Sequence, residues 1–417
     1  MNVAVRRRAC LVVPTNRECT ATLAEVVAEA EYARTELGAD VQVLVLDSST
    51  EFEAHAKVLS AAANVWHLDE SQQRAFLQRV IRRAEVIKPD LLLDLMLPRG
   101  LSYGACTNRA FLIAAALGCD SVHRRDSDLY FQTYQGKKVF PIEVELSALG
   151  RPARDVVTAE DQLEESRKDL TVQMVGGSFV GDMSVDIAEI RNHDAYYDLV
   201  SLWAAEGSTD AEKQALVENS FTGSAAFDGD RSLLSVVDPM RVDMHNIAFH
   251  GLHERVPLPP ATDTIGSDYF LIHVADKAGL PGVLHNRHIV NFHTAERKSD
   301  AGFWSYQMRF AKFILSMYYF HFIYERMRTD DPAGIAAIVR ASTWQPREPN
   351  EAKADLLERA YRRLGGRFTT VADLVRERRE TLLLEARRDI DDFALLIDAW
   401  AGLIAAARET PLCAEDN

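Results

Sequence analysis

Residues 9–50, ACLVVPTNRECTATLAEVVAEAEYARTELGADVQVLVLDSST, contain two apolar runs separated by a helical pattern. The first run, residues 9–13, has the pattern of a buried strand and is closed by a turn that begins at Pro14. Residues 20–37 have helical periodicity, and a second buried-type strand follows at residues 41–46. Strand, helix and strand in this order predict an α/β sheet with parallel strands.

The same alternation continues toward the carboxyl terminus. Further helices are predicted at residues 71–87 and 102–117, and the apolar runs at residues 91–97 and 138–146 have the pattern of strands. The chain from about residue 301 onward has helical patterns throughout. This order predicts an α/β protein in which helices flank the sheet and an all-helical extension follows it.

Length, charge and cysteine usage narrow the class of protein. The chain has 417 residues, 47% of them hydrophobic, and a formal net charge of −15. This balance suits a globular protein and argues against a nucleic-acid partner, because binding nucleic acid needs a basic surface. The five cysteines are odd in number and scattered, which argues against a disulfide framework and predicts a cytoplasmic location. No apolar run approaches the roughly 20 residues that a membrane-spanning helix needs.

An acidic pair, Asp126-Ser127-Asp128, follows a short strand-like segment. Where the chain turns at the end of a strand, two carboxylates at i and i+2 can reach one divalent cation. Oxygen ligands suit Mg²⁺ or Mn²⁺, which proteins usually hold with one or two carboxylates and the phosphates of a substrate. Asp-X-Asp also occurs by chance in acidic chains, so its weight depends on the residues around it.

Two loops carry further candidates. Asp47 ends the second predicted strand, where ligands of open α/β sheets bind, although an aspartate there also suits a turn or a helix N-cap. A glycine-containing loop leads into the helix at residues 102–117. Small residues before a helix N-terminus allow close approach of a diphosphate, but Ser102 equally suits a cap.

The late candidates begin with Asp268, at a predicted helix start. A histidine-rich segment follows, in which Arg287 lies among His285, His288 and His293. A neutral imidazole can complete a metal site, and an arginine can neutralise diphosphate charge. The same residue types also suit an exposed strand and loop.

An aromatic stretch, residues 310–324, lies within the helical extension. Its rings are predicted to form packed core or an oligomer face rather than a platform for a sugar. Any homo-oligomer contact is therefore expected on the C-terminal helices.

In this order, the segments resemble the GT-A class of nucleotide-sugar glycosyltransferases over roughly residues 9–295. The resemblance rests on the first-strand turn, the acid after the second strand, the glycine-containing loop, the Asp-X-Asp pair, an acid at a late helix start and a later histidine. The chain departs from the class in the order of Asn108 and Arg109, and in having Ser267 where an acid is usual.

The resemblance implies a Rossmann-type mixed sheet of the GT-A kind. Residues 1–150 would form the nucleotide-sugar-binding half and residues 151–298 the acceptor-binding half, while residues 299–417 would form a helical region without a counterpart in the class. The implied activity is metal-dependent transfer of a sugar from a UDP- or GDP-linked donor to a hydroxyl or amine of an unidentified acceptor. The implied cofactor is Mn²⁺ or Mg²⁺.

The resemblance also implies roles for individual residues. Asp126 and Asp128 would bind the metal, the former with a contact to the donor ribose as an alternative role. One late histidine would complete the coordination, with His293 preferred to His288. In an inverting enzyme Asp268 would be the base that takes the proton of the acceptor, whereas in a retaining enzyme it would orient the acceptor or the sugar. Donor contacts would come from Pro14, Thr15, Arg17, Asp47, Gly100, Ser102, Asn108, Arg109, Asp126 and Arg287, with Asp47 on the nucleoside.

Two other classes remain open on the sequence. A sugar-1-phosphate nucleotidyltransferase also combines an α/β nucleotide fold with Mg²⁺. Such an enzyme usually has a glycine-rich signature directly after the first strand, where this chain has PTNRE at residues 14–18. A non-catalytic GT-A-like scaffold would use the helical extension as its interaction surface. Hydrolysis of a nucleotide sugar separates a catalyst from a scaffold, and consumption of a nucleoside triphosphate identifies the nucleotidyltransferase.

Overall fold

A computed structural model describes residues 7–182, 188–220, 223–292 and 299–412. The strands are β1 (Arg8–Thr15), β2 (Asp40–Asp47), β3 (Val65–Leu68), β4 (Ser121–Arg124), β5 (Leu129–Phe131), β6 (Thr133–Tyr134), β7 (Lys137–Lys138), β8 (Glu160–Asp161), β9 (Met174–Gly176), β10 (Phe179–Gly181), β11 (Ser232–Val236), β12 (Ile247–His250), β13 (Pro281–His285) and β14 (Ile289–Asn291). The helices are α1 (Thr20–Thr35), α2 (Phe52–Leu59), α3 (Glu70–Arg83), α4 (Pro89–Met96), α5 (Tyr103–Ala116), α6 (Ile142–Ala148), α7 (Tyr196–Val200), α8 (Asp210–Asn219), α9 (Leu252–Arg255), α10 (Phe270–Lys277), α11 (Asp300–Arg326), α12 (Pro332–Ser342), α13 (Glu348–Leu364) and α14 (Phe368–Arg408).

The main sheet has nine strands in the order β3-β2-β1-β4-β12-β9-β13-β11-β8. The first four strands are parallel, and β1 lies between β2 on one side and β4 on the other. The chain therefore winds in one direction from β1 to β3 and in the other direction at β4. At such a reversal the carboxyl ends of adjacent strands leave a crevice in which α/β proteins bind ligands.

Strand β12 makes the sheet mixed. It runs antiparallel to both of its neighbours, β4 and β9. Beyond it, β9 and β13 are parallel, and β11 is antiparallel to β13. The predicted α/β class with a mixed sheet flanked by helices is thereby confirmed.

Side chains of β1 alternate between two hydrophobic cores, as the two faces of a buried strand require. Leu11 and Val13 pack with residues of α1 on one face. Cys10 and Val12 belong to the larger core on the other face, which also includes buried residues of α3, α5 and the C-terminal helices.

The helical extension, α11 to α14, packs on this second face. The 41-residue helix α14 lies against α3, α5 and α9. Its Trp400 is buried, and the indole N–H donates to the carbonyl of His253 at 3.0 Å. The predicted all-helical extension is confirmed, and its core is continuous with that of the sheet. The three-region division remains a prediction, and the main sheet combines strands from both sides of residue 150.

Two predicted strands are wrong. The run at residues 91–97 is helix α4, which has Pro89 in its first turn. Most of residues 138–146 lies outside a strand, because only Lys137–Lys138 pairs and Ile142–Ala148 is helical. Both were short apolar runs, for which periodicity does not distinguish a strand from a buried helix.

Within the described residues, no helix combines the length and apolarity needed to cross a membrane. Four cysteines in these residues, Cys10, Cys19, Cys106 and Cys119, carry free thiols.

Candidate active site

A cavity of about 1370 Å³ opens at the carboxyl ends of β1 and β4 and extends to the C-terminal helices. Most of the predicted site residues line it, although the sequence separates them widely. Those lining the cavity are Pro14, Thr15, Arg17, Gly100, Ser102, Arg109, Asp126, Asp128 and Asp268.

Arg124, the last residue of β4, joins two of the predicted acids. Its Nη1 donates to Oδ2 of Asp268 at 2.6 Å, and its Nη2 lies 3.0 Å from Oδ1 of Asp126. The side chains of Arg124 and Asp268 are 2% and 7% exposed, so little water screens this pair. Arginine forms strong charge-assisted contacts with carboxylates, and Arg124 thus sets the distance between the two acids.

Burial raises the pKa of Asp268, and the neighbouring Arg124 guanidinium partly opposes the rise. A carboxylate with a raised pKa is a stronger base, which suits a group that must take a proton near neutral pH. The same two acids raise the pKa of Arg124 despite its burial, so the arginine stays charged.

His245 is a site residue that the sequence analysis missed. In the antiparallel pairing of β12 with β4, Ile247 lies opposite Arg124. His245, two residues before Ile247, therefore comes beside Asp126, two residues after Arg124. Nε2 of His245 lies 3.4 Å from Asp126 Oδ2. The available signal was an Asp-X-His pattern, because Asp243 precedes His245 and contacts its Nδ1 at 2.7 Å.

His245 carries a positive charge in this environment. Burial alone lowers its pKa, but the carboxylates of Asp243 and Asp126 raise the pKa of His245 to about 9. Hydrogen bonds orient this loop, since the backbone N–H of His245 donates to Asp243 Oδ1 and that of Asp243 donates to the carbonyl of Gly177. The imidazolium faces Asp126, so a cation already balances this acid.

Arg17 is the corresponding partner of Asp128. Its Nη1 lies 3.2 Å from Asp128 Oδ2. The turn after β1 that carries Arg17 is ordered by Thr15, whose hydroxyl accepts from the Arg17 backbone N–H. The acidic loop is held by the hydroxyl of Thr22, which donates to the carbonyls of Ser127 and Leu129. Hydrogen bonds to the backbone thus position both Arg17 and Asp128.

The glycine-containing loop approaches the turn of Asp268 closely. Ser102 caps α5 by accepting from the N–H of Ala105 at 3.1 Å. The N–H of Gly104 donates to Ser267 Oγ at 3.3 Å. A Cβ at Gly104 would lie 1.9 Å from the Pro259 carbonyl oxygen. Only glycine fits there, and the helix N-terminus lies directly beside the turn that carries Asp268.

Asp47 is not among the cavity-lining residues, although Leu46 and Ser48 are. Its side chain is fully buried. One carboxylate oxygen accepts from Ser49 N–H, and the other accepts from His55 Nδ1 at 2.7 Å and His67 Nε2 at 2.9 Å. These bonds lower the pKa of Asp47 despite its burial. Both oxygens are engaged by protein groups, and the nucleoside contact of Asp47 stays a prediction.

Asp47, His55 and His67 bring three ligand atoms within 4.8 Å of one another. The Cys19 backbone N–H, however, donates to His55 Nε2 at 3.1 Å. The proton of neutral His55 is therefore on Nδ1, facing Asp47. A metal on Nδ1 would move this proton to Nε2, where it would face the Cys19 N–H. This cluster is better suited to anchor the β1 turn than to bind a cation.

Three other predicted residues lie outside the cavity lining. Asn108 exchanges two hydrogen bonds of 2.8 Å with the backbone of Leu258. Arg287 pairs with Glu143 and Asp230. His288 Nδ1 accepts from the N–H of Ser178 at 2.9 Å. None of the three lines the cavity. His293 lies outside the described residues.

Arg109 lines the cavity but also has structural partners. Its guanidinium donates to Gln73 Oε1 and to the carbonyl of Met96. Arg125, next to Arg124, is fully buried and pairs with Glu29 and Glu145 at 2.7 and 2.9 Å. Arg125 thus belongs to the core, whereas Arg124 belongs to the site.

Residues 7–416 match the sequence model of DUF6271, a family of unknown function. No curated protein matches the chain in sequence.

Similar solved structures include a mannosyltransferase from Pyrobaculum calidifontis in complex with GDP-Man and Mn²⁺, at 15% identity and a TM-score of 0.38 over 97% of this chain and 87% of that chain. S. aureus TarS 1-349 in complex with UDP-GlcNAc has 10% identity and a TM-score of 0.38 over 92% of this chain and 90% of that chain. Mannosyl-3-phosphoglycerate synthase from Rubrobacter xylanophilus has 11% identity and a TM-score of 0.33 over 72% and 71%. At these values no residue role is transferred to this chain.

Proposed function

The chain belongs to a family of unknown function (DUF6271), and we propose that it is a metal-dependent glycosyltransferase that uses a nucleotide-sugar donor. The observation that carries the proposal is the convergence of Asp126, Asp128 and Asp268 with Arg17, Arg124 and His245 at one end of a large cavity. This cluster lies where parallel strands β1 and β4 end, at the reversal of strand order that suits nucleotide binding.

The cluster suits a diphosphate because its positive groups face the same space as its acids. Arg17 and Arg124 are arginines at the cavity wall, and arginine binds phosphate oxygens through two parallel N–H donors. While no ion is bound, the protonated His245 adds a third positive group beside the acids. The donor diphosphate would lie at this end of the cavity.

The donor set, two carboxylates and one imidazole, suits Mn²⁺ or Mg²⁺ as a cofactor. Within the described residues its three ligand atoms do not all lie within 4.8 Å of one another, so the side chains would have to converge on the ion. Oδ1 of Asp126 is buried and forms an ion pair with Arg124 Nη2 at 3.0 Å that does not meet hydrogen-bond geometry. Carboxylate oxygens together with one imidazole suit these ions. Asp126, Asp128 and His245 would hold the ion, His245 as a neutral imidazole after the ion displaces its ring proton. The bound ion would supply positive charge to the leaving diphosphate. His245 takes this role in place of His288, whose Nδ1 accepts from the N–H of Ser178.

Asp268 is the proposed base. The bond between the anomeric carbon and the diphosphate oxygen breaks, and the acceptor oxygen or nitrogen forms a bond to that carbon. The acceptor proton passes to the Asp268 carboxylate, and a nucleoside diphosphate leaves. Arg124 orients Asp268, and the burial that raises the pKa of Asp268 strengthens it as a base.

The test measures release of UDP or GDP from UDP-glucose and GDP-mannose, with and without Mn²⁺. We expect Mn²⁺-dependent release that falls at least about 100-fold in Asp128→Asn, since a metal ligand is lost. Asp230→Asn, an exposed acid outside the cavity, is the matched control and should behave as the unmodified chain. Absence of release and of any rise in melting temperature with UDP, GDP or dTDP would contradict the proposal. Consumption of a nucleoside triphosphate with a sugar 1-phosphate would assign the chain to nucleotidyltransferases instead.

A further inference from the structure

One face of α11 lines the part of the cavity formed by the C-terminal helices. Its side chains there, called the aromatic wall, are Tyr306, Phe313, Met317, Phe320, His321 and Tyr324. Their spacing follows the helical repeat, so they form one stripe. The aromatic stretch was predicted to be packed core or an oligomer face. It is largely buried, but this stripe faces the cavity.

The aromatic wall adjoins the proposed base. A Cβ at Gly266 would lie 2.8 Å from a ring carbon of Phe313, and Gly266 begins the turn that carries Asp268. On its other side, Asp268 contacts Arg124. The turn therefore joins the charged end of the cavity to the aromatic wall, and a group held on the wall can reach Asp268.

Further rings complete this part of the cavity. Trp203 lies edge-on to Phe313 with ring centroids 5.6 Å apart. His273 stacks on Tyr324 at 3.9 Å. Burial lowers the pKa of His273 to about 3 and that of His321 to about 4, so both imidazoles are neutral at pH 7.

The charged side chains among these rings have partners. Asp389 lies 2.8 Å from the ammonium of Lys312, which also donates to the carbonyl of Thr262. Asp276 pairs with Lys277 at 3.0 Å, and Glu325 is exposed and pairs with Arg326. Arg328, which also lines the cavity, donates to the backbone carbonyls of Tyr324 and Met327. This part of the cavity therefore offers an aromatic surface whose charged side chains already have partners, which favours an uncharged ligand.

The volume leaves room for a second ligand. A pocket for one drug-sized molecule has about 300–1,000 Å³, whereas this cavity has about 1370 Å³. A donor at the charged end would leave the aromatic wall free for the acceptor.

We propose that the aromatic wall of α11 is the acceptor site and that the acceptor is an uncharged molecule with a largely apolar body and one reactive hydroxyl or amine. The assignment as acceptor rests on the proposed function. Binding of an apolar alcohol at the wall does not depend on it.

The probe is 2-naphthol, a neutral aromatic alcohol, titrated calorimetrically into the full chain without a donor. We expect saturable binding to the unmodified chain. Binding should be at least about tenfold weaker in Met317→Trp, because the larger side chain at this wall position fills the space that the ligand would occupy. Tyr324→Leu, a milder change that removes one ring, should weaken binding by about three- to tenfold. Phe322→Ala is the matched control, because Phe322 lies on α11 outside the cavity, beneath the Arg326 guanidinium.

Binding of UDP and GDP with Mn²⁺ is measured on the same variants and should change by less than about twofold. Absence of 2-naphthol binding, or equal binding by Met317→Trp and the unmodified chain, overturns the acceptor site even if nucleotides bind. Equal weakening by Phe322→Ala also overturns it. Loss of 2-naphthol binding in the wall variants of a chain that binds no nucleotide supports the apolar site and refutes the proposed function.

Discussion

Nη1 of Arg124 lies 2.6 Å from Oδ2 of Asp268, although the two residues are far apart in the chain. Arg124 ends β4, and Asp268 lies in the turn before α10. Both side chains are almost completely buried. The pair therefore links the acidic loop after β4 to the part of the cavity that contains the aromatic wall.

Breaking this pair should destabilise the protein. Arg124→Met leaves Asp268 buried without its closest cation, and we expect a loss of about 3–5 kcal/mol in the free energy of unfolding. Urea unfolding of Arg124→Met, Asp268→Asn and the double variant measures the coupling. The exposed pair Arg8–Asp40, at 2.9 Å, is the control and should couple by about 1 kcal/mol or less. Additivity of the buried pair within about 0.5 kcal/mol would show that the contact contributes nothing.

His245→Ala should weaken binding of Mn²⁺ in the presence of UDP or GDP. We expect at least about a tenfold rise in the apparent dissociation constant, because one nitrogen ligand is lost. The measurement is a Mn²⁺ titration followed by the melting temperature, which rises when a ligand binds the folded state. His288→Ala is the control, since His288 does not line the cavity. A larger effect at position 288 than at position 245 would return the metal role to the late histidine.

Asp47→Asn should reduce stability without loss of nucleotide binding. Asp47 accepts bonds from two histidines and one backbone N–H in a fully buried position. Weakening these three hydrogen bonds should lower the free energy of unfolding by about 1.5–3 kcal/mol. The dissociation constant for UDP or GDP, measured by calorimetry, should change by about twofold or less. A tenfold loss of nucleotide affinity in a folded variant would instead support the nucleoside contact expected from the sequence.

His285 should make the protein sensitive to mild acid. Both of its ring nitrogens are buried and lack a hydrogen-bond partner within the described part of the chain. Burial lowers the pKa of His285 to about 3, whereas an unfolded histidine titrates near about 6.5. Below the latter pH the unfolded state binds a proton that the folded state does not. The contribution of neutral His285 to the stability is therefore fully present above this pH and is lost as the pH falls toward 3.

Between pH 8 and pH 5, His285 should contribute a loss of about 2 kcal/mol in the free energy of unfolding. Urea unfolding at the two pH values measures this loss. The free energy of unfolding of His285→Leu should fall less than that of the unmodified chain, by about this amount. His193→Leu, which changes an exposed histidine, should keep the original pH dependence. Equal pH dependence of His285→Leu and the unmodified chain would refute the assignment.

The sequence predicted those elements whose signals are local. The apolar runs of β1 and β2, the periodicity of α1 and the capped start of α5 each depend on residues close together in the chain. The acidic pair was found for the same reason, since both carboxylates follow one strand. The short run that became α4 was not decided locally, because a few consecutive apolar residues suit a buried helix and a buried strand alike.

The sequence by itself therefore determined the α/β order, the helical extension and the position of Asp126 and Asp128 at a strand end. Only the tertiary structure decided which distant groups meet these acids. The register of β12 on β4 brings His245 to Asp126, and the fold of the late turn brings Asp268 to Arg124. It also directs Asp47 toward two histidines and away from the cavity. Such pairings depend on strand order and side-chain direction, which are set by burial over the whole molecule and leave no trace in local spacing.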